Sequence, residues 1–347
     1  MKTIICSFLA LLPGLLSAQS SPVQWHHLDP KTDNIMGIST QRAYRELLRG
    51  LKPMPVIVAV IDDGIDAMHN DLSSALWTNP MEVTGNGKDD DNNGYVDDIR
   101  GWNFLGGKDG VNLEFDQKEE TRLVARLGPL YQNADRASLP VAQHAEYDLY
   151  MLAKREYDTR KEEKTALIER LIRMHTQRQI LIPELKKAFG VTRLDSALLH
   201  YPPTNDSVLR EKALLIYRQM AGRGESDADK SLANLKEGIR LQRNKLDYGY
   251  NLSYDPRSPV GDHPGVLAES GYGNADITGP DASHGTHVAG IIAARHTNQT
   301  GVMGVADHAY ILCIRTVPNG DERDKDVANA IRYAADQGGQ NYQHELW

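Results

Sequence analysis

Cysteine is almost missing from this sequence, with two residues in 347. Cys6 lies in an N-terminal apolar run and Cys313 stands alone far downstream. A disulfide framework is therefore excluded, and core packing or bound metal must stabilise the chain. An excess of positive charge is also lacking: 39 Lys and Arg stand against 47 Asp and Glu, a net charge of −8. That balance argues against nucleic acid as a partner. Beyond the first twenty residues no apolar run is long enough to cross a membrane, and no internal repeat is present. What remains, 40% apolar and 25% charged, describes a soluble, mildly acidic globular protein. Its length suits one large domain or two ordinary ones.

The start, "MKTIICSFLALLPGLLSAQS", has Lys2, an apolar run and small residues ending at Ala18. This is the pattern of a secretory signal peptide spanning residues 1–18, with Leu16 and Ala18 in the two selective positions. The run is short for a membrane anchor. The mature chain is expected to begin at Gln19 and to be secreted or extracytoplasmic, in the periplasm or at the cell surface. Cys6 leaves with the signal.

Three textures follow. Residues 19–110 are rich in Asp, Asn and Gly around one apolar strand; 111–250 are charged and helical; 251–338 return to Gly, Pro and Asp before an α/β pattern. In the middle region Leu167, Ile168, Leu171 and Ile172 recur on one face, Pro183 is expected to interrupt the helix, and Gly190 to stop it. Leu209, Leu214, Ile216 and Tyr217 repeat the pattern. The region reads as an all-helical insert with solvated charged faces, and alternatively as an arm that binds a protein partner. It carries no catalytic pattern.

Chemistry lies on either side of it. "PVIVAVIDDGID" is nearly continuous Val, Ile and Ala from Val56 to Ile61, as in a parallel strand buried on both faces. Asp62 then falls at the carboxyl end, where open α/β sheets keep their working groups. In "DASHGTHVAGIIAARH", His284 opens a helix whose following turns carry Gly285, Ala289, Gly290, Ala293 and Ala294. Small residues let such a helix approach a sheet closely. A His at a helix N-terminus tends towards neutrality and can serve as a general base, oriented by an acidic partner.

"VIVAVIDDGID" and "HGTHVAGIIAA" resemble the aspartate and histidine signatures of the subtilisin-like serine proteases, the subtilases. "HNDL", "GVMGVADHAYILCIRTV" and "AIRYAADQG" agree with the same family. The resemblance implies an α/β fold: a doubly wound parallel sheet, incomplete in this chain and interrupted by the helical region. It also implies peptide-bond hydrolysis through an acyl-enzyme, with polypeptide substrates. Asp62 matches the family's triad Asp and His284 its general base; His287 matches a structural His.

Several features depart from the family. Asp63 stands where Ser or Thr is usual, at a strand end expected to be open to water. The gap from Asp62 to His284 is far longer than in compact members, and the mature residues before Val56 are too few for a folding-assistant propeptide. No Gly-Thr-Ser-Met-Ala motif and no oxyanion-hole Asn motif is present. Losing the nucleophile costs about 10⁶ in kcat, so the chain as written is expected to be inactive. The alternative is a secreted non-catalytic protein, derived from a protease, that binds calcium or a partner.

The tail "GGQNYQHELW" has neither cap nor periodicity. Its codons from Gly339 to Trp347, read one nucleotide later, can encode Ala-Lys-Ile-Ile-Asn-Met-Ser-Phe-Gly, the kind of strand the family has next. Residues 339–347 are therefore expected to be an out-of-frame tail.

A metal site is also expected. "NGKDDDNNGYVDD" spaces Asp89, Asp91, Asn93, Gly94 and Asp97 like positions of a calcium loop, with Tyr95 offering its carbonyl. Arg100 replaces the usual final Glu, so this is no EF-hand; a solvated acidic turn is the alternative. Asp71 matches an Asp that often ligates calcium in the family.

Overall fold

A computed structural model describes residues 23–295 and 301–339, and the backbone of 341–344. The expected signal peptide at 1–18, its processing point before Gln19, and the tail residues 345–347 lie outside the described residues.

In chain order the elements are α1 (Thr40–Glu46), β1 (Val56–Asp62), β2 (Gly101–Asn103), α2 (Glu119–Tyr131), α3 (His144–Phe189) and α4 (Ser196–His200). They continue with α5 (Ser207–Ala221), α6 (Ala228–Asn244), α7 (Ser283–Ala293), β3 (Ala309–Arg315), α8 (Asp324–Asp336) and β4 (Asn341–His344). The four strands form one sheet in the order β2-β3-β1-β4, parallel at every pairing. Val56 pairs with Ala309 and Asp62 with Arg315 across β1 and β3, and Val58 to Ile61 pair with Asn341 to His344 on the other side.

Alternation along β1 explains its unbroken apolar run. Ala59 and Ile61 pack with Trp102, Phe104, Leu312 and Ile314 beneath Ala330, Tyr333 and Ala334 of α8. Val60 faces the other way, among Leu76, Ile311, Cys313 and the α7 residues Ala289 and Ala293. With a helix on each face, every second position must be apolar on both sides. This is the incomplete α/β arrangement that the resemblance implied.

The helices between β2 and α7 build two cores of their own. One joins Val124, Leu127 and Tyr131 of α2 to Tyr150 and Tyr157 of α3 and to Tyr250. The other gathers Ile182 and Leu185 of α3 with Leu199, Ala213, Ile216 and Met220. Between them runs α3, 46 residues long and so about 69 Å at the usual rise. Ile168 and Leu171 are buried on the face the periodicity predicts, with Leu167 and Ile172 half-buried. Asp195, Asp206 and Asp227 cap α4, α5 and α6 by accepting backbone N–H groups of their first turns.

Pro183 differs from expectation: α3 runs through it to Phe189. A helix can forgo one hydrogen bond when flanking residues are held by packing, and Ile182 and Leu185 are both buried in the second core. Gly190 does end the helix, in the left-handed conformation at φ 65°.

Candidate active site

Asp62 closes β1 almost fully buried, with 4% of its surface exposed. The register with β3 fixes it: its carbonyl accepts N–H bonds from Thr316 and Val317. His284 opens the first turn of α7, and its Nδ1 lies 3.0 Å from each carboxylate oxygen of Asp62. The imidazole is 37% exposed. Residues 222 positions apart are thus brought into one charge-assisted pair, the acid buried and the ring open to solvent. A carboxylate on Nδ1 fixes the tautomer, with the neutral ring's proton on Nδ1. His287, one turn on, is exposed.

The close approach of α7 depends on missing side chains. A Cβ on Gly285 would stand 2.2 Å from the Gly64 carbonyl oxygen and 3.1 Å from Asp62 Cβ. Gly64 itself has φ +147° and lies against the Thr278 carbonyl.

Asp63 is not directed simply to water. Its backbone N–H donates to Asp62 Oδ1 at 2.7 Å, and its own Oδ1 accepts the Gly285 N–H at 2.9 Å. Burial, with Asp62 and Asp281 nearby, pushes its carboxyl up to about 6 against the pull of the Gly285 N–H. Arg315, 2% exposed, donates from Nε to the Asp63 carbonyl, from Nη1 to Asn103 Oδ1 and from Nη2 to the Leu113 carbonyl. Burial lowers its guanidinium to about 10, so it remains charged at neutral pH. The sequence pattern did not single out Arg315; an Arg ending an apolar strand opposite Asp62 is the signal that was there to find.

The acidic loop has a different centre from the one its spacing suggested. Glu82, Asp91 and Asp98 each offer a carboxylate oxygen, and these lie within 4.8 Å of one another. Asn79 Nδ2 donates to both Asp91 and Asp98, as does Asn93 Nδ2. Glu82 Oε1 accepts the Asp90 and Asp91 N–H groups, while Glu82 Oε2 is buried with no hydrogen-bond partner among the described residues. Asp89 is occupied with the N–H groups of Asn93 and Gly94, and Asp97 with those of Gly85, Asn86 and Gly87. The Tyr95 ring packs into the core against Trp102 and Tyr333. Asp98 is fully buried and also accepts from Tyr333 Oη and Gln337 Nε2, tying the loop to α8. Asp71 stands apart from this cluster: its backbone carbonyl accepts from Arg295, and its carboxylate lies beside Gly301, whose carbonyl accepts from Gln24.

Residues 200–342 match the model of the Subtilase family. That segment contains His284 and begins after Asp62. A thermophilic serine proteinase of Bacillus sp. (strain AK1) is 51% identical over 57 residues, 16% of this chain and 14% of that protein. Thermitase of Thermoactinomyces vulgaris is 54% identical over 56 residues, 16% of this chain and 20% of that protein. The cell wall-associated protease of Bacillus subtilis (strain 168) is 30% identical over 115 residues, 33% of this chain and 10% of that protein. The matched stretches thus span a fifth or less of these relatives' own length.

Proposed function

Because the chain carries a subtilase-family domain, we propose that it is the Asp- and His-bearing part of a secreted serine endopeptidase. The observation that carries this reading is the paired contact of His284 Nδ1 with Asp62, 3.0 Å to each oxygen. Asp62 holds the ring through Nδ1 and stabilises the imidazolium. His284 takes the proton of a serine hydroxyl as that oxygen attacks the scissile carbonyl, then gives it to the leaving amine. The 347 residues contain no Gly-Thr-Ser-Met-Ala stretch. We therefore assign the hydrolysis to a polypeptide in which such a serine joins the pair, and none to these residues alone.

A fluorophosphonate probe tests this. It should leave the 347-residue polypeptide unlabelled. It should label a polypeptide encoded by the gene with its reading frame shifted after Gly338, and His284→Ala should abolish that labelling. An early stop in the shifted frame, or labelling that survives His284→Ala, refutes the reading. Secretion is proposed from the first 18 residues; among the described residues no helix is long and apolar enough to cross a membrane.

We also propose that the acidic loop takes a hard divalent cation, with calcium the best match to an all-oxygen donor set. Glu82, Asp91 and Asp98 would hold it. Three clustered carboxylates, one with a buried unpartnered oxygen, favour a cation at their centre.

A further inference from the structure

The turn after β1 carries a carboxylate that the acid–base scheme leaves unused. Helix α7 begins at Ser283 behind an N-cap, Ala282, that has no capping side chain, and the Gly285 N–H is satisfied instead by Asp63 from another element. Asp63 is held at both ends of its own backbone, by Asp62 Oδ1 and by Arg315 Nε. Polar atoms of Asp62, Asp63 and His284 lie within 4.8 Å of one another. We propose that Asp63 is a positioning residue for His284: it fixes the first turn of α7 and supplies a second negative charge that sets the imidazole's protonation. This inference rests on the reading of Asp62 and His284 as an acid–base pair.

The charged groups around Asp63 come from every packed element: Asp62 on β1, His284 on α7, Asp281 in the loop before α7, and Arg315 on β3. Arg315 hydrogen-bonds to the main chain rather than to the carboxylate, so it anchors the turn, while its charge also acts on the Asp63 side chain. Asp63 titrates near 6, inside the range in which an ordinary imidazole changes charge. With their polar atoms within 4.8 Å of each other, the two groups are expected to titrate as a coupled pair. While Asp63 is ionised it favours the imidazolium. As pH falls and Asp63 takes a proton, that support is withdrawn.

The test is an NMR titration of His284 Cε1–H in the 347-residue protein, assigned with His284→Gln. Asp63→Asn removes the charge and keeps an oxygen for the Gly285 N–H. It should lower the His284 midpoint by about half a unit or more and reduce a two-step curve to one step, with the Gly285 amide resonance unmoved. Asp63→Ser, a second neutral variant, should give the same lowered midpoint and move the Gly285 resonance. Titrations of both variants superimposable on the parent overturn the proposal, because a cap alone would not move the midpoint. Asp62→Asn separates the two readings. If it leaves His284 unchanged, the acid–base pair itself fails; if it shifts His284 while Asp63→Asn does not, only this inference fails.

Discussion

Gly285 decides whether the His284–Asp62 pair can exist, and Gly285→Ala makes that quantitative. The added Cβ would sit 2.2 Å from the Gly64 carbonyl oxygen and 3.1 Å from Asp62 Cβ. Neither neighbour can give way easily: Gly64 is itself pressed against the Thr278 carbonyl, and the Asp62 carbonyl is pinned by two N–H groups beyond β3. The first turn of α7 must therefore retreat by about 1 Å to reach ordinary van der Waals distances. That moves Nδ1 from 3.0 Å to about 4 Å from the carboxylate, beyond hydrogen-bond range. Overpacking of this kind costs about 1–3 kcal/mol. Gly290→Ala in the same helix is the control, since nothing among the described residues lies within 4 Å of its added Cβ. There the better helix propensity should stabilise by about 0.5–1 kcal/mol. Urea denaturation should thus separate the two variants by about 1.5–4 kcal/mol, and only Gly285→Ala should uncouple the His284 titration from Asp62. Equal stabilities, or an unchanged His284 titration in Gly285→Ala, would refute the reasoning.

Calcium at millimolar concentration should raise the melting temperature, Asp91→Ala should abolish the gain, and Asp97→Ala should leave it; calorimetry without any calcium shift in the parent removes the cation proposal. Arg257→Met should cost about 3–5 kcal/mol in chemical denaturation, because it strands the side chains of Asp262 and Asp326, both 0% exposed, that Arg257 now pairs. A loss under about 1 kcal/mol would mean that Lys325, which donates from Nζ to Asp262, and Tyr272, which donates from Oη to Asp326, compensate for the missing guanidinium. Burial raises the Asp63 carboxyl to about 6 in the folded state, against 3.8 for an ordinary Asp, so the folded state binds more protons between those values. Its contribution to stability is therefore lost as pH rises from about 4 to about 6. Asp63→Asn should flatten the stability–pH curve in that window; an unchanged slope contradicts the assignment.

The sheet was legible because its constraint is local. A strand covered on both faces must be apolar at consecutive positions, and Val56 to Ile61 is such a run. The α7 pattern was legible for a similar reason: Gly285, Ala289 and Ala293 are small because the helix lies close to β1 and β3. The helical region was legible in periodicity and not in continuity. Leu167 to Ile172 announce a buried face, but whether a helix survives Pro183 depends on what Ile182 and Leu185 touch, and those partners, Leu199 and Ile216, are supplied by later helices. The proline rule describes an isolated helix; packing decided here.

At the site the divide falls between residues that act through their own side chains and residues that act through the backbone of others. Asp62 and His284 could be named because an acid at a strand end and a His at a helix start each carry a chemical signature. Arg315 could not, because its three donors reach a carbonyl of Asp63, a carbonyl of Leu113 and an amide oxygen of Asn103, none of which has a sequence pattern. The acidic loop divides the same way. Alternate spacing marks Asp89 and Asp97 as strongly as Asp91, yet backbone N–H groups claim the first two. The carboxylate cluster is completed by Glu82, before the spaced run, and by Asp98, directly after it. Asp98 is drawn inward by Tyr333 and Gln337 of the α8 region, a force that comes from more than two hundred residues away in the chain. A ligand motif fixes which residues are able to bind; the buried donors around them fix which ones face each other.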